Sequence, residues 1–245
     1  YLGTADAVFQ NLDILRETNP EYVLILAGDH VYKMDYGELI AFHVDKQADM
    51  TVACIEVPIA DATAFGVMEV NKEGRVVAFE EKPKNPKSIM DKPDKSLASM
   101  GVYVFNAQFL YEQLLRDVDD PKSSHDFGKD IIPHLIASQY RVFAQNFHDS
   151  CVKLDGGKPY WRDVGTVDSY YEANMDLCAV APEFNLYDPE WPLRTHQPQT
   201  PPAKFVFADE GGRCGRALDS IISAGCIVSG SRVVGSVLCP NVRVH

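Results

Sequence analysis

Five large apolar residues stand in one unbroken run at Tyr22, Val23, Leu24, Ile25 and Leu26. The run is too short for a helix and too continuous for a strand with one wet face, so it predicts a parallel strand buried on both sides. It ends at Ala27-Gly28-Asp29-His30, where two small residues let a partner approach the backbone and two polar side chains emerge. Ligands of open α/β sheets sit beyond the carboxyl ends of the strands. Asp29 therefore either meets a ligand or caps a turn, and this stretch alone leaves both open.

The periodicity on either side alternates between helix and strand. Val8, Leu12 and Leu15, with Phe9 beside them, make one helical face across residues 4–16, with Thr4 as N-cap and Asp6 in the first turn. Gly3 and Thr4 then lie at a helix N-terminus, whose N–H groups either hold a phosphate or base edge or are simply capped. Asp35 or Tyr36 opens a second helix through Leu39, Ile40 and Phe42, and Met50–Val57 reads as the next strand. Strand, helix, strand implies a right-handed parallel crossover.

From Phe65 the spacing shortens. Residues 66–70 and 75–80 read as strands of a hairpin turned at Asn71–Gly74, where Gly supplies positive φ. The second arm runs into Glu80-Glu81-Lys82-Pro83, and Pro83 ends the ladder so that Glu81 and Lys82 project from a defined strand end. A Pro- and Lys-rich loop covers 84–95, Ser99–Phe105 is a strand, Asn106 caps a helix through Phe109, Leu110 and Leu114, and 126–136 is a further helix. Trp161-Arg162-Asp163-Val164-Gly165-Thr166 precedes a helix from Val167 to Leu177, and Asp163 is either functional or a capping device.

Six prolines between 182 and 203 mark an extended linker. Beyond it Ile222, Val228 and Val234 recur every six residues with small residues between, the mark of a parallel β-helix. The expected organisation is thus a domain over 1–181, a linker over 182–203 and the start of a repeat domain over 204–245. The chain opens on Tyr1 and stops within the repeat, so it reads as a fragment.

Composition narrows the partners. A formal charge of -12 opposes a nucleic-acid groove or an anionic membrane surface, so a phosphorylated ligand must be held by a few local cations. The six cysteines are scattered with no C-x-x-C pair, which suits reduced thiols in a cytosol. No apolar run approaches the ~18 residues of a membrane span.

Leu26–His30, Phe79–Pro83 and Trp161–Thr166, preceded by Gly3-Thr-Ala-Asp-Ala7 and followed by hexads, together resemble the sugar-nucleotide pyrophosphorylases, and among them the ADP-glucose pyrophosphorylases (glucose-1-phosphate adenylyltransferases). Ser96–Phe105, Ser123–Asp130 and Pro201–Phe205 extend the resemblance along the chain. It implies an α/β fold: a Rossmann-like, mostly parallel sheet forming a nucleotidyltransferase domain, then the start of a left-handed parallel β-helix. It implies ATP, glucose 1-phosphate, ADP-glucose and pyrophosphate as ligands, a role in glycogen or starch synthesis, allosteric control, a homotetramer, and a cytoplasmic or plastid-stromal location. In its terms Asp29 and Asp163 hold Mg²⁺, and Lys82 pairs with the sugar phosphate unless it is a plain surface lysine. Glu81, Gly66 and Ser99 meet the hexose, while Tyr1, Gly3 and Thr4 lie near the sugar nucleotide. Tyr103 reads as core and His30 as a neighbour that orients Asp29. The family's glycine-rich loop with its following Arg, and a later Pro-Lys pair, are absent from these residues, so this polypeptide by itself is expected to be inactive. The competing readings are a non-catalytic regulatory subunit of the same enzyme, a pyrophosphorylase for another sugar nucleotide, and a hexapeptide-repeat acyltransferase, which the short tail disfavours.

Overall fold

The computed structural model describes residues 1–152 and 159–245. In chain order the elements are α1 (Thr4–Phe9), α2 (Leu12–Thr18), β1 (Tyr22–Ile25), β2 (His30–Tyr32), α3 (Tyr36–Asp45), β3 (Met50–Pro58), β4 (Gly66–Val70), β5 (Val76–Glu81) and β6 (Lys95–Asn106). Then follow α4 (Ala107–Val118), a π-helical turn (Phe127–Ile131), α5 (Ile132–Ala137), β7 (Val142–Asn146), α6 (Phe147–Ser150), β8 (Trp161–Asp163) and α7 (Val167–Asp176). Seven short strands close the chain: β9 (Lys204–Val206), β10 (Arg216–Leu218), β11 (Ile221–Ile222), β12 (Ile227–Ser229), β13 (Arg232–Val234), β14 (Val237–Leu238) and β15 (Arg243–Val244). The chain divides into two compact units, Tyr1–Gly28 with Met34–Cys151, and Asp29–Lys33 with Val152–His245. No helix among the described residues is long and apolar enough to cross a membrane.

The first unit is a mixed α/β sheet built around β6. One edge of β6 pairs antiparallel with β3, which pairs in parallel with β7. Its other edge takes the β4–β5 hairpin near its start and β1 near its end, both antiparallel. Strands β1, β3 and β7 thus share one direction, and the unit joining β1 through α3 to β3 has the expected parallel sense, with β6 lying between them. The run at 22–26 is less enclosed than its pattern predicts: only Val23 is buried and Leu26 is 44% exposed. The reason is pairing, because among the described residues β1 has β6 as its one neighbour.

Other departures have local causes. Residues 4–16 form two helices instead of one, and α1 is N-capped by Gly3, not Thr4. Asn106 occupies the N-cap position of α4 but its amide is turned away, donating to the Ala48 carbonyl at 2.9 Å and meeting His43 Nε2 at 3.3 Å. Pro133 forces the break in the helix expected at 126–136: a π turn precedes α5, whose first turn places Pro where no N–H is needed. Phe105, Leu110, Leu114, Phe127, Ile131 and Leu135 fill the core between the sheet and these helices.

In the second unit β2 pairs antiparallel with β8, and the C-terminal strands wind into a parallel coil, the hexapeptide-repeat start of a left-handed β-helix. Its repeat is sixteen residues: Arg216 lies beside Arg232, Ile221 beside Val237 and Ile227 beside Arg243. Three full hexads would give eighteen, so two sides are short by one residue. That slip moves the inward position from Val234, which is 47% exposed, to Val233, which is buried.

His43 is the least expected core residue. It is 1% exposed, with Nδ1 2.8 Å from Thr51 Oγ1 and its ring edge against Tyr22. Burial, partly offset by the hydrogen bond to Asn106, holds its pKa below the usual histidine value of 6.5. The unfolded chain therefore binds this proton more readily than the folded one. The stabilisation is complete above the ordinary histidine pKa and is lost as pH falls toward the depressed folded value. Urea midpoints measured between pH 8 and pH 5 are expected to fall with pH, and His43→Gln to flatten that fall.

Candidate functional site

In the second unit the β2–β8 register places His30 directly opposite Asp163, with Asp29 at the head of β2. The Asp29 backbone carbonyl accepts the Val164 N–H at 2.8 Å, which locks the two strand ends together. A carboxylate oxygen from each of Asp29 and Asp163 and a ring nitrogen of His30 lie within 4.8 Å of one another. The structure thus brings together the two carboxylates singled out in the sequence, along with the histidine. Asp163 is not the cap of α7: Thr166 takes that role, in a reciprocal box with Ser169. Instead Asp163 Oδ1 accepts the Gly165 N–H at 2.7 Å, which fixes its rotamer while leaving Oδ2 available.

Gly165 is needed for that approach. A Cβ there would lie 2.9 Å from Asp163 Oδ1 and 3.1 Å from Asp29 Oδ2. His30 is held edge-on against Trp161 with centroids 5.1 Å apart, its Nε2 3.6 Å from Asp29 Oδ1. Among the described residues its Nδ1 is buried without a hydrogen-bond partner. The Asp29 side chain is 59% exposed, so this is an open carboxylate pair backed by an imidazole. The donor set fits a hard divalent cation, which takes one or two carboxylates and completes its shell with water or phosphate oxygen. The imidazole suits such an ion less well and is placed to orient Asp29.

In the first unit the cluster forms around Glu81, which closes β5 opposite Gly66. A Cβ on Gly66 would run into the Phe79 ring and lie 2.9 Å from Glu81 Oε2, and one on Gly128 would lie 2.6 Å from the same oxygen. The carboxylate is therefore wedged between two glycines, and these absent methyls make its room. Burial raises the Glu81 pKa, Asp126 raises it further, and Lys82 and Lys129 oppose both. Lys82 follows with φ +50, its N–H donated to the Phe65 carbonyl at 3.0 Å. A left-handed non-glycine residue is uncommon, and before proline it is doubly disfavoured. Strain of this kind gathers at functional sites. Lys82 is exposed, and among the described residues it forms no ion pair.

The remaining expected residues fare unevenly. Ser99 is buried and its hydroxyl accepts the Gly101 N–H at 3.3 Å and pairs with the Tyr103 phenol. A bulge, with Gly101 at φ +66, re-aims β6 here. Tyr103 is buried as expected, and burial pushes its phenol up to about 12. Gly3 and Thr4 make internal contacts. The His125 carbonyl accepts the Ala5 and Asp6 N–H groups at 2.8 and 3.2 Å, and a Cβ on Gly3 would strike the Ser124 and His125 carbonyls. The Thr4 hydroxyl donates to Asp126 Oδ2 and accepts the Phe127 N–H, both at 3.0 Å. Tyr1 is 86% exposed.

Two participants carried no assigned role in the sequence. Asp126 caps the π turn, accepting from Gly128 and Lys129 N–H at 2.9 and 3.1 Å, and faces Glu81 electrostatically. Gly128 supplies half of the wedge. Their signal was the Asp-Phe-Gly sequence beside a helix start, which propensity reads as capping alone.

A nucleotidyl transferase family model matches residues 1–180, and a GlmU-like C-terminal hexapeptide model matches residues 201–245. Among curated relatives, a glucose-1-phosphate adenylyltransferase of Methylobacillus flagellatus is 68% identical over all 245 residues, which cover 57% of its length. Those of Nitrosomonas europaea and Methylococcus capsulatus are 61% and 58% identical over the whole chain, covering 56% and 57% of their lengths. The chain thus spans little more than half the length of the relatives it matches.

Gly165→Ala tests the carboxylate pair by itself. Its added methyl should push the two carboxylates apart and weaken Mn²⁺ binding about tenfold, as supporting-contact changes at metal sites do. The thermal midpoint should move little, since residue 165 is exposed. Manganese titration followed by electron paramagnetic resonance reads the affinity.

Proposed function

The chain belongs to the nucleotidyl transferase family, and from that premise we propose that the intact protein transfers AMP from ATP to glucose 1-phosphate, giving ADP-glucose and pyrophosphate. The observation that carries this reading is the meeting of Asp29 and Asp163, an exposed and a half-buried carboxylate from distant parts of the chain. Whole-chain identity to relatives of that name supports it.

A phosphate oxygen of the sugar phosphate forms the new bond to the α-phosphorus of ATP, and the bond from that phosphorus to the bridging oxygen breaks as pyrophosphate leaves. The attacking phosphate has a second pKa near ~6, so it is largely dianionic at neutral pH and needs no general base. The barrier lies in bringing polyanions together, so positioning and neutralisation do the catalysis. Nucleotidyltransferases of this family generally use divalent metal ions. Asp29 and Asp163 would hold Mg²⁺, which neutralises phosphate charge when bound. Lys82 places its ammonium on the sugar phosphate, its direction set by the strained turn into Pro83. Glu81, seated between Gly66 and Gly128, accepts hydrogen bonds from sugar hydroxyls, Gly66 lets the backbone come close to the hexose, and Ser99 with Tyr103 stiffens the wall behind it.

The same reading includes a nucleotidyltransferase domain over 1–181, a linker over 182–203, a β-helix from 204, a homotetramer and a bacterial cytoplasmic location with a role in glycogen synthesis. Bacterial relatives and six free cysteines support the location.

Asp29→Asn in the intact protein should lower kcat by about 10²–10³, the size of losing one preorganised electrostatic contact, with an unchanged urea midpoint; turnover within tenfold of the parent contradicts the metal role. Lys82→Gln should raise KM for glucose 1-phosphate far more than KM for ATP. Equal rises in steady-state assays would remove Lys82 from the sugar phosphate.

A further inference from the structure

One hydroxyl from the start of the chain holds the turn on which the Glu81 carboxylate is seated. Gly128, whose added Cβ would lie 2.6 Å from Glu81 Oε2, belongs to the π turn that Asp126 caps. The Asp126 carboxylate is divided between two tasks. Its Oδ1 accepts the Gly128 and Lys129 N–H groups at 2.9 and 3.1 Å, and its Oδ2 accepts the Thr4 hydroxyl at 3.0 Å. The same hydroxyl accepts the Phe127 N–H at 3.0 Å. Thr4 Oγ1 thus closes a ring that ties the Asp126 side chain to the backbone of the turn it caps, and closing it takes a group that donates and accepts at once.

Neither capping nor core packing accounts for this hydroxyl. Gly3 is the N-cap of α1, and the His125 carbonyl takes the Ala5 and Asp6 N–H groups, so the helix start is already tied to this loop. Phe127 is buried, its ring 5.6 Å from that of Tyr103 and 5.8 Å from that of Phe105. The buried ring fixes where the turn sits. The hydrogen bonds at Asp126 fix how its backbone is oriented, and Gly128 meets Glu81 through that backbone. Single π turns are rare and gather at functional sites.

We propose that Thr4 is a positioning residue for the hexose: its hydroxyl sets the turn from Asp126 to Gly128, and through it the direction in which Glu81 offers its carboxylate to sugar hydroxyls. The inference rests on the assignment of Glu81 to those hydroxyls in the proposed transfer. Thr4 acts through Glu81 and touches no reacting atom.

Steady-state kinetics of the intact protein test it. Thr4→Val keeps the shape and removes the hydroxyl, and should raise KM for glucose 1-phosphate about threefold to tenfold, the range that one lost hydrogen bond spans, while leaving KM for ATP unchanged. Thr4→Ser should restore the parent value. In a Glu81→Gln background Thr4→Val should add little, because residues that act through a shared group couple. The urea midpoint should barely move, since Thr4 is exposed. An unchanged KM for glucose 1-phosphate, equal rises in both KM values, a full effect in the Glu81→Gln background or failure of Thr4→Ser to restore the parent value overturns the positioning role and leaves the transfer standing. A parent protein that forms no ADP-glucose overturns the transfer and this role with it.

Discussion

Pairing of His30–Tyr32 with Trp161–Asp163 is the constraint on which the candidate metal site depends. The ribbon has only three residues a side, and closing so long a loop costs conformational entropy that three ladder positions cannot offset alone. Its anchors lie around it. Lys33, 4% exposed, donates to Asp188 Oδ2 at 3.0 Å and to the Asn185 carbonyl at 3.1 Å, with the Phe184 ring 5.6 Å from its ammonium. Phe184 packs on Tyr160, and Arg162 pairs with Asp176 of α7. Phe184, Asn185 and Asp188, at the start of the segment proposed as a linker, thus clamp the end of β2, because a buried ammonium must keep its partners.

Each candidate site uses glycine for the same reason. Gly165 beside Asp29 and Asp163, and Gly66 with Gly128 beside Glu81, are positions where a methyl would meet a carboxylate oxygen. A carboxylate enclosed this way loses water and rises in pKa, as Glu81 does, whereas the Asp29 side chain is 59% exposed. The enclosed one is suited to directional hydrogen bonds and the open pair to a hydrated cation, so shape alone divides the two tasks.

Legibility in the sequence followed the range of the interaction. The hairpin at 66–81, with Gly74 at φ +82, and helix α3, capped by Asp35, were readable because turn chemistry and capping are local. Asp29 and Asp163 stood out because each ends a patterned segment. Asp126 and Gly128 did not, since their partners Thr4 and Glu81 come from elsewhere in the chain and no local pattern records them. The same limit explains Thr4, whose hydroxyl looks like a cap in sequence but is taken by Asp126, and Asn106, whose amide serves His43.

The β-helix shows how one residue of register changes a surface. With strict hexads Val234 would face inward; with sixteen residues per coil Val233 does, and Arg216 and Arg232 come to face solvent side by side. A shortened side is tolerated because small residues and a positive-φ glycine at 230 absorb the tighter corner. The exposed arginines are thus a consequence of coil geometry as much as of composition, and a chain with the same residues on eighteen-residue coils would not align them.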